Sequence, residues 1–197
     1  MHAHVSTAEP GSRRVCWLPG GPVTARTEAP SPTPRGEAMV AELKWVHGMI
    51  RRDLGTVREL ATDVQDGRPA AEVTARLRSL VTRGPLWQLR INCLQYCHFV
   101  HSHHHLESVL LFPALRRANP GLGPVVDQLE ADHQRVSVLL DEVEAAAGSL
   151  AGAESAETRQ RLTAALEALS TDLLAHLAYE EENVADTMRT MNGWPGW

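Results

Sequence analysis

Residues 98 to 108 read HFVHSHHHLES and crowd His98, His101, His103, His104 and His105 together just ahead of Glu107. Imidazole and carboxylate side chains ligate metals when they point into a core, and are merely hydrated when they point out. The run alone permits both. What decides is whether His47, His133, and His176 with Glu180, the other residues of these types at helical spacing, come to the same depth of one core.

The chain has 197 residues, 43% hydrophobic and 22% charged, ordinary values for one soluble domain with a sizeable core. Net charge is −5. Residues 1–36 hold four arginines against two glutamates, so the remainder stands at −7, which argues against nucleic acid as a partner. No apolar run approaches the roughly 18 residues of a membrane helix, and no continuous apolar stretch resembles a secretory leader, so a cytoplasmic protein is expected. Residues 1–36, dense in Pro, Gly, Ser and Thr, read as a disordered tail. Of three cysteines, Cys16 lies in the tail, and Cys93 and Cys97 read as free, packed thiols in a reducing compartment.

From residue 37 the pattern is helical. The first seam is Val40, Leu43, His47, Ile50, Leu54, Val57, Ala61 and Val64. A shorter helix is expected over 69–82. The second long helix presents Leu89, Cys93, Tyr96, Val100, His103, Glu107, Leu110 and Ala114, with Pro113 marking a kink or early end. Asn119 to Gly123 form a turn. The third seam is Val126, Leu129, His133, Val136, Leu140, Val143 and Ala147; the fourth is Leu162, Leu166, Leu169, Leu173, His176, Glu180, Val184 and Met188. The expected fold is all-α, an antiparallel up-down four-helix bundle over 37–192 behind the disordered tail.

Each seam is apolar except at His47, at His103 with Glu107, at His133, and at His176 with Glu180. Six unpaired polar groups among leucines would cost about 2–7 kcal/mol each, together more than a usual folding stability of about 5–15 kcal/mol. Something must satisfy them. The i, i+4 pairs His103/Glu107 and His176/Glu180 put two carboxylates where they can bridge two cations, with the four histidines as terminal ligands. His104, three residues before Glu107 and about 100° around the helix from His103, is an alternative or outer ligand. His98, His101 and His105 fall on a flanking, exposed face. Tyr96, roughly 10 Å along the axis from His103, either packs in the core or contacts a bound oxygen species.

The pattern H…HHxxE…FP…H…HxxxE, present as His47, HHLES followed by LLFPAL, DHQRV and HLAYEEE, resembles the hemerythrin-like, or HHE cation-binding, domain over about residues 38–190. The resemblance implies a non-haem di-iron site with dioxygen, peroxide or nitric oxide chemistry. It carries ligand roles onto His47, His103, Glu107, His133, His176 and Glu180. Two positions depart from the oxygen carriers of that family: Ser137 stands where they have a histidine, and Glu181 where they have an aspartate.

Four nitrogen donors leave more coordination positions open, which favours turnover over storage. The expectation is therefore a carboxylate-bridged pair of iron ions, with manganese or zinc compatible. It would react with dioxygen or hydrogen peroxide in catalase-like or oxidase chemistry. The alternative is a protein that binds or senses dioxygen or nitric oxide without turnover.

Overall fold

Thr33 opens the first helix. Its Oγ1 accepts a hydrogen bond from the Gly36 N–H at 2.9 Å, satisfying one of the donors a helix start leaves free. Pro34 takes the first turn, where a missing N–H is harmless. Helix α1 accordingly runs Pro34–Gln65, beginning ahead of residue 37 because capping, rather than apolar periodicity, sets its start. The computed structural model describes residues 31–66, 85–150 and 155–194. Of the tail expected to be disordered over 1–36, residues 34–36 are helical and residues 1–30 lie outside the described ones, as does the expected helix over 69–82.

Helix α2 spans Pro85–Leu106, a π-helical turn covers Glu107–Leu111, and α3 follows at Phe112–Ala118. A 3-10 turn, Pro120–Leu122, leads into α4 at Gly123–Ser149, and α5 is Ala156–Arg189. No strand occurs among the described residues. Ser155 caps α5 by a reciprocal pair of bonds: its Oγ accepts from the Thr158 N–H at 3.2 Å, and its own N–H donates to Thr158 Oγ1 at 3.1 Å.

The π turn follows from Pro113. Proline offers no N–H, and its ring crowds the carbonyl four residues back. The preceding turn widens, and the Phe112 N–H reaches back five residues to the Glu107 carbonyl. The additional residue shifts the helix face by one position. Leu111, Phe112 and Leu115 are buried, whereas Leu110, expected in the seam, is 38% exposed. The helical path also continues past Pro113 to Ala118, so the expected early end does not occur.

Helix α1 packs against α2 and α5, and α4 packs against the same two, which makes a helical bundle. Contacts from α1 to α5 descend in order: the Thr33 N–H bonds the Arg189 carbonyl at 2.7 Å, His47 meets Glu181 at 2.8 Å, and Arg58 meets Glu167 at 2.6 Å. Gly36 is required at the first of these contacts, since a Cβ there would lie 2.1 Å from the Arg189 carbonyl oxygen. Trp194 packs on the bundle and donates its indole N–H to Glu42 at 2.7 Å.

The apolar core is split in two. The larger cluster includes Ile50, Leu54, Val100, Val136, Leu140, Leu169, Leu173 and Leu177. The smaller gathers Met39, Val40, Leu43, Leu111, Phe112, Leu115, Val126, Leu129, Val184 and Met188. On every long helix the polar seam residues sit between these clusters: His47 between Leu43 and Ile50, His133 between Leu129 and Val136, and Glu180 between Leu177 and Val184. A polar layer is thus closed above and below by hydrocarbon.

Candidate metal centre

The structure brings together all six residues singled out from the sequence, and adds a seventh. His47, Glu107, His133, His176 and Glu180 are buried, and the His103 side chain is 10% exposed. His104, 6% exposed, turns inward as well. Its ring stacks on that of His133 with centroids 4.1 Å apart and planes within 12°, and meets His176 edge-on at 5.0 Å. Five imidazoles therefore face two carboxyl groups, against four expected. The sequence signal for His104 was its i, i+3 spacing to Glu107. His103 and His104 both reach the interior because the buried face of a helix is about 100° wide.

Glu107 is central. Its Oε1 lies 3.2 Å from His103 Nε2 and 3.8 Å from His47 Nε2, while its Oε2 lies 3.5 Å from His133 Nε2. Glu180 Oε2 is 3.5 Å from His47 Nε2 and 3.7 Å from His176 Nε2. Two sets of ligand atoms are mutually close enough to hold a metal ion: His104, Glu107, His133 and His176, and His47, His103 and Glu107, with every atom of a set within 4.8 Å of the others. Glu107 belongs to both.

The inner nitrogens and oxygens of this layer lack hydrogen bonds. His47 Nε2, His103 Nε2, His104 Nε2, His133 Nε2, both ring nitrogens of His176, and both carboxyl oxygens of Glu107 and of Glu180 are buried and unpaired. Native interiors satisfy nearly all such atoms. Nine of these ten converge, His176 Nδ1 facing outward instead; that is the signature of a ligand set, and borderline imidazole with hard carboxylate oxygen suits iron, manganese or zinc.

Three outer nitrogens face protein groups. His47 Nδ1 is 2.8 Å from Glu181 Oε1, which also accepts from Arg51 Nη1 at 2.7 Å. His133 Nδ1 pairs with the Ser108 hydroxyl at 2.9 Å. His176 Nδ1 stands 3.8 Å from Asp132 Oδ2, beyond hydrogen-bond reach. Glu181, at the position of the carriers' aspartate, thus faces outward from the cluster. These partners carried no spacing signal in the sequence, because they belong to other helices or point away from the seam.

Electrostatics follow from burial. Desolvation lowers His47 to about 4 against the pull of Glu181, and, helped by neighbouring rings, it lowers His176 to about 4, His103 and His133 to about 3, and His104 further. All five stay neutral and keep a lone pair free. Burial, with the Glu181 charge, raises Glu180 to about 8, and burial with the Glu180 charge raises Glu107 well above the carboxylate range. Partial burial works to raise Glu181, but hydrogen bonds from Arg51 and His47 outweigh it and the net shift is downward.

Tyr96 is buried in the larger apolar cluster, and its hydroxyl has no hydrogen bond among the described residues, to the site or elsewhere. Beside it Cys93 and Cys97 are free buried thiols, Cys93 pushed up to about 12 by desolvation. His98 and His105 are exposed, and His101 sits near Asp141 at 3.6 Å on the flank. A surface cavity of about 440 Å³ between α4 and α5, lined by Gln128, Asp132, Arg135, Asp172 and Tyr179, reaches the outer edge of His176.

No helix among the described residues is long and apolar enough to cross a membrane. No curated protein and no solved structure matches the chain. The family model for the hemerythrin HHE cation binding domain matches residues 38–187. With that match spanning most of its length and the ligand-competent layer at its centre, the chain belongs to the hemerythrin HHE cation-binding family.

Proposed function

We propose that the protein is a cytoplasmic non-haem di-iron protein, an antiparallel up-down four-helix bundle that reacts with dioxygen or hydrogen peroxide. The observation that carries this reading is the layer of ten unpaired buried atoms in which Glu107 serves two ligand sets at once. The descending order of α1–α5 contacts supports the antiparallel arrangement, and the free thiols suit a reducing compartment.

His47 and His103 would hold one ion and His104, His133 and His176 the other, with Glu107 shared between the two sets and Glu180 beside His47 and His176 as a further carboxylate donor. Iron bound there supplies one-electron redox chemistry toward dioxygen or peroxide. The chain supplies the rest. Neutral imidazoles offer lone pairs without proton competition near neutral pH, the carboxyl groups release their protons on loading, and the hydrocarbon on both sides keeps bulk water from the layer.

A second reading is favoured by one observation. His104 restores a fifth imidazole, which removes the argument from few nitrogen donors and suits a protein that binds dioxygen or nitric oxide without turnover. Adding peroxide to the ferrous-loaded protein separates the two. Sustained oxygen evolution with many turnovers per chain supports catalysis, a coloured adduct reversed by degassing supports binding, and spectral silence toward dioxygen, peroxide and nitric oxide rejects both.

A further inference from the structure

The two halves of the polar layer are braced differently from behind. A carboxylate can only accept, so the 2.8 Å contact from His47 Nδ1 to Glu181 Oε1 fixes the proton on Nδ1 and leaves the Nε2 lone pair facing Glu107 and Glu180. Arg51, one turn beyond His47 on α1, holds the same Glu181 oxygen at 2.7 Å, so the anion cannot swing inward without breaking an ion pair. In the other half, His133 is backed by the neutral hydroxyl of Ser108. Asp132, the acid behind His176 Nδ1, is out of reach at 3.8 Å, its other oxygen engaged by Gln128 at 2.7 Å and by Arg135.

We propose that Glu181, braced by Arg51, is a positioning residue that acts through His47 and strengthens only the metal position on that side. An imidazole that donates to an anion is a stronger ligand and better supports the higher oxidation state; one that donates to, or accepts from, a hydroxyl is less so. An ion on the His47 and His103 side would therefore be held more tightly, and would be oxidised more readily, than it would be without Glu181. This inference rests on the two-ion reading and assigns Glu181 a role behind a ligand, at a position where the oxygen carriers of the family have an aspartate.

The test uses the full chain loaded anaerobically with ferrous iron. Release to a coloured chelator is followed over time, and the potentials of the two one-electron steps are measured. The wild type releases iron in two phases, and His103→Ala identifies the one that belongs to the His47 side by removing it. Glu181→Gln, nearly isosteric, retains two ions but accelerates only that phase, by about tenfold or more. It also raises one potential, by about 59 mV for each tenfold loss of ferric preference. Arg51→Gln, at a partly exposed position, shifts both readouts the same way by less.

Phases that change together, phases that do not change, or a potential that stays put in Glu181→Gln would overturn the proposal. Wild-type protein that loads fewer than two ions would instead reject the parent reading, before any variant is made.

Discussion

His104 and His133 lie face to face, 4.1 Å between ring centroids, and both present an unpaired Nε2 to the space beside Glu107. Two parallel imidazoles at that distance direct adjacent lone pairs toward a shared region, an arrangement that a cation relieves and an empty core does not.

His104→Ala is therefore expected to remove one bound ion per chain while leaving the His47 side loaded. His105→Ala, one residue along but exposed, should keep both. Metal content of the two variants after desalting is the check. Equal content in both would return His104 to an ordinary core role.

Glu107→Gln should move stability in opposite directions with and without metal. In the metal-free protein at pH 8 it removes a desolvated carboxyl group beside Glu180 and should stabilise by about 1–3 kcal/mol. Because Glu107 belongs to both ligand sets, the same variant should lose the metal-induced rise in melting temperature. That rise in wild type, at a free metal concentration a hundred times Kd, corresponds to about 2.7 kcal/mol. Thermal denaturation of both proteins, chelated and loaded, reads all four states.

Acid and alkali should each weaken the metal-free protein. His47 and His176 titrate at about 4 in the fold against 6.5 in the unfolded chain. As pH drops below 6.5 the unfolded chain takes up protons that the fold refuses, so stability present above 6.5 is lost toward 4. Glu180 works the other way. It titrates at about 8 against 4.5, so the fold holds a proton that the unfolded chain has released, and stability present below 4.5 is lost as pH rises through 8. Loading requires every one of these groups unprotonated, so the melting-temperature increment from metal should grow steadily from pH 5 to pH 8. A flat increment would mean that the buried groups are not the ligands.

Much of this was legible from residue spacing. His47, His133, and His176 with Glu180 occupy seam positions in unbroken helices, where steps of three and four residues dictate which side chains meet, and the structure buries them as that rule requires. The second long helix was less readable. Pro113 widens the turn before it, so periodicity carried past Glu107 points at Leu110 when the buried residue is Leu111. A one-face reading admits a single residue per turn and so leaves His104 only an alternative to His103, whereas two neighbouring rings share this part of the core. Glu181 was legible only as a departure, since its partner His47 is 134 residues away in the chain.

The most direct test is the iron content of the full chain after anaerobic ferrous loading and desalting. Two ions per chain are predicted, falling below one in Glu107→Gln. Wild-type protein that retains no iron under those conditions, or a Glu107→Gln variant that still retains two, would contradict the shared-carboxylate centre on which the whole account stands.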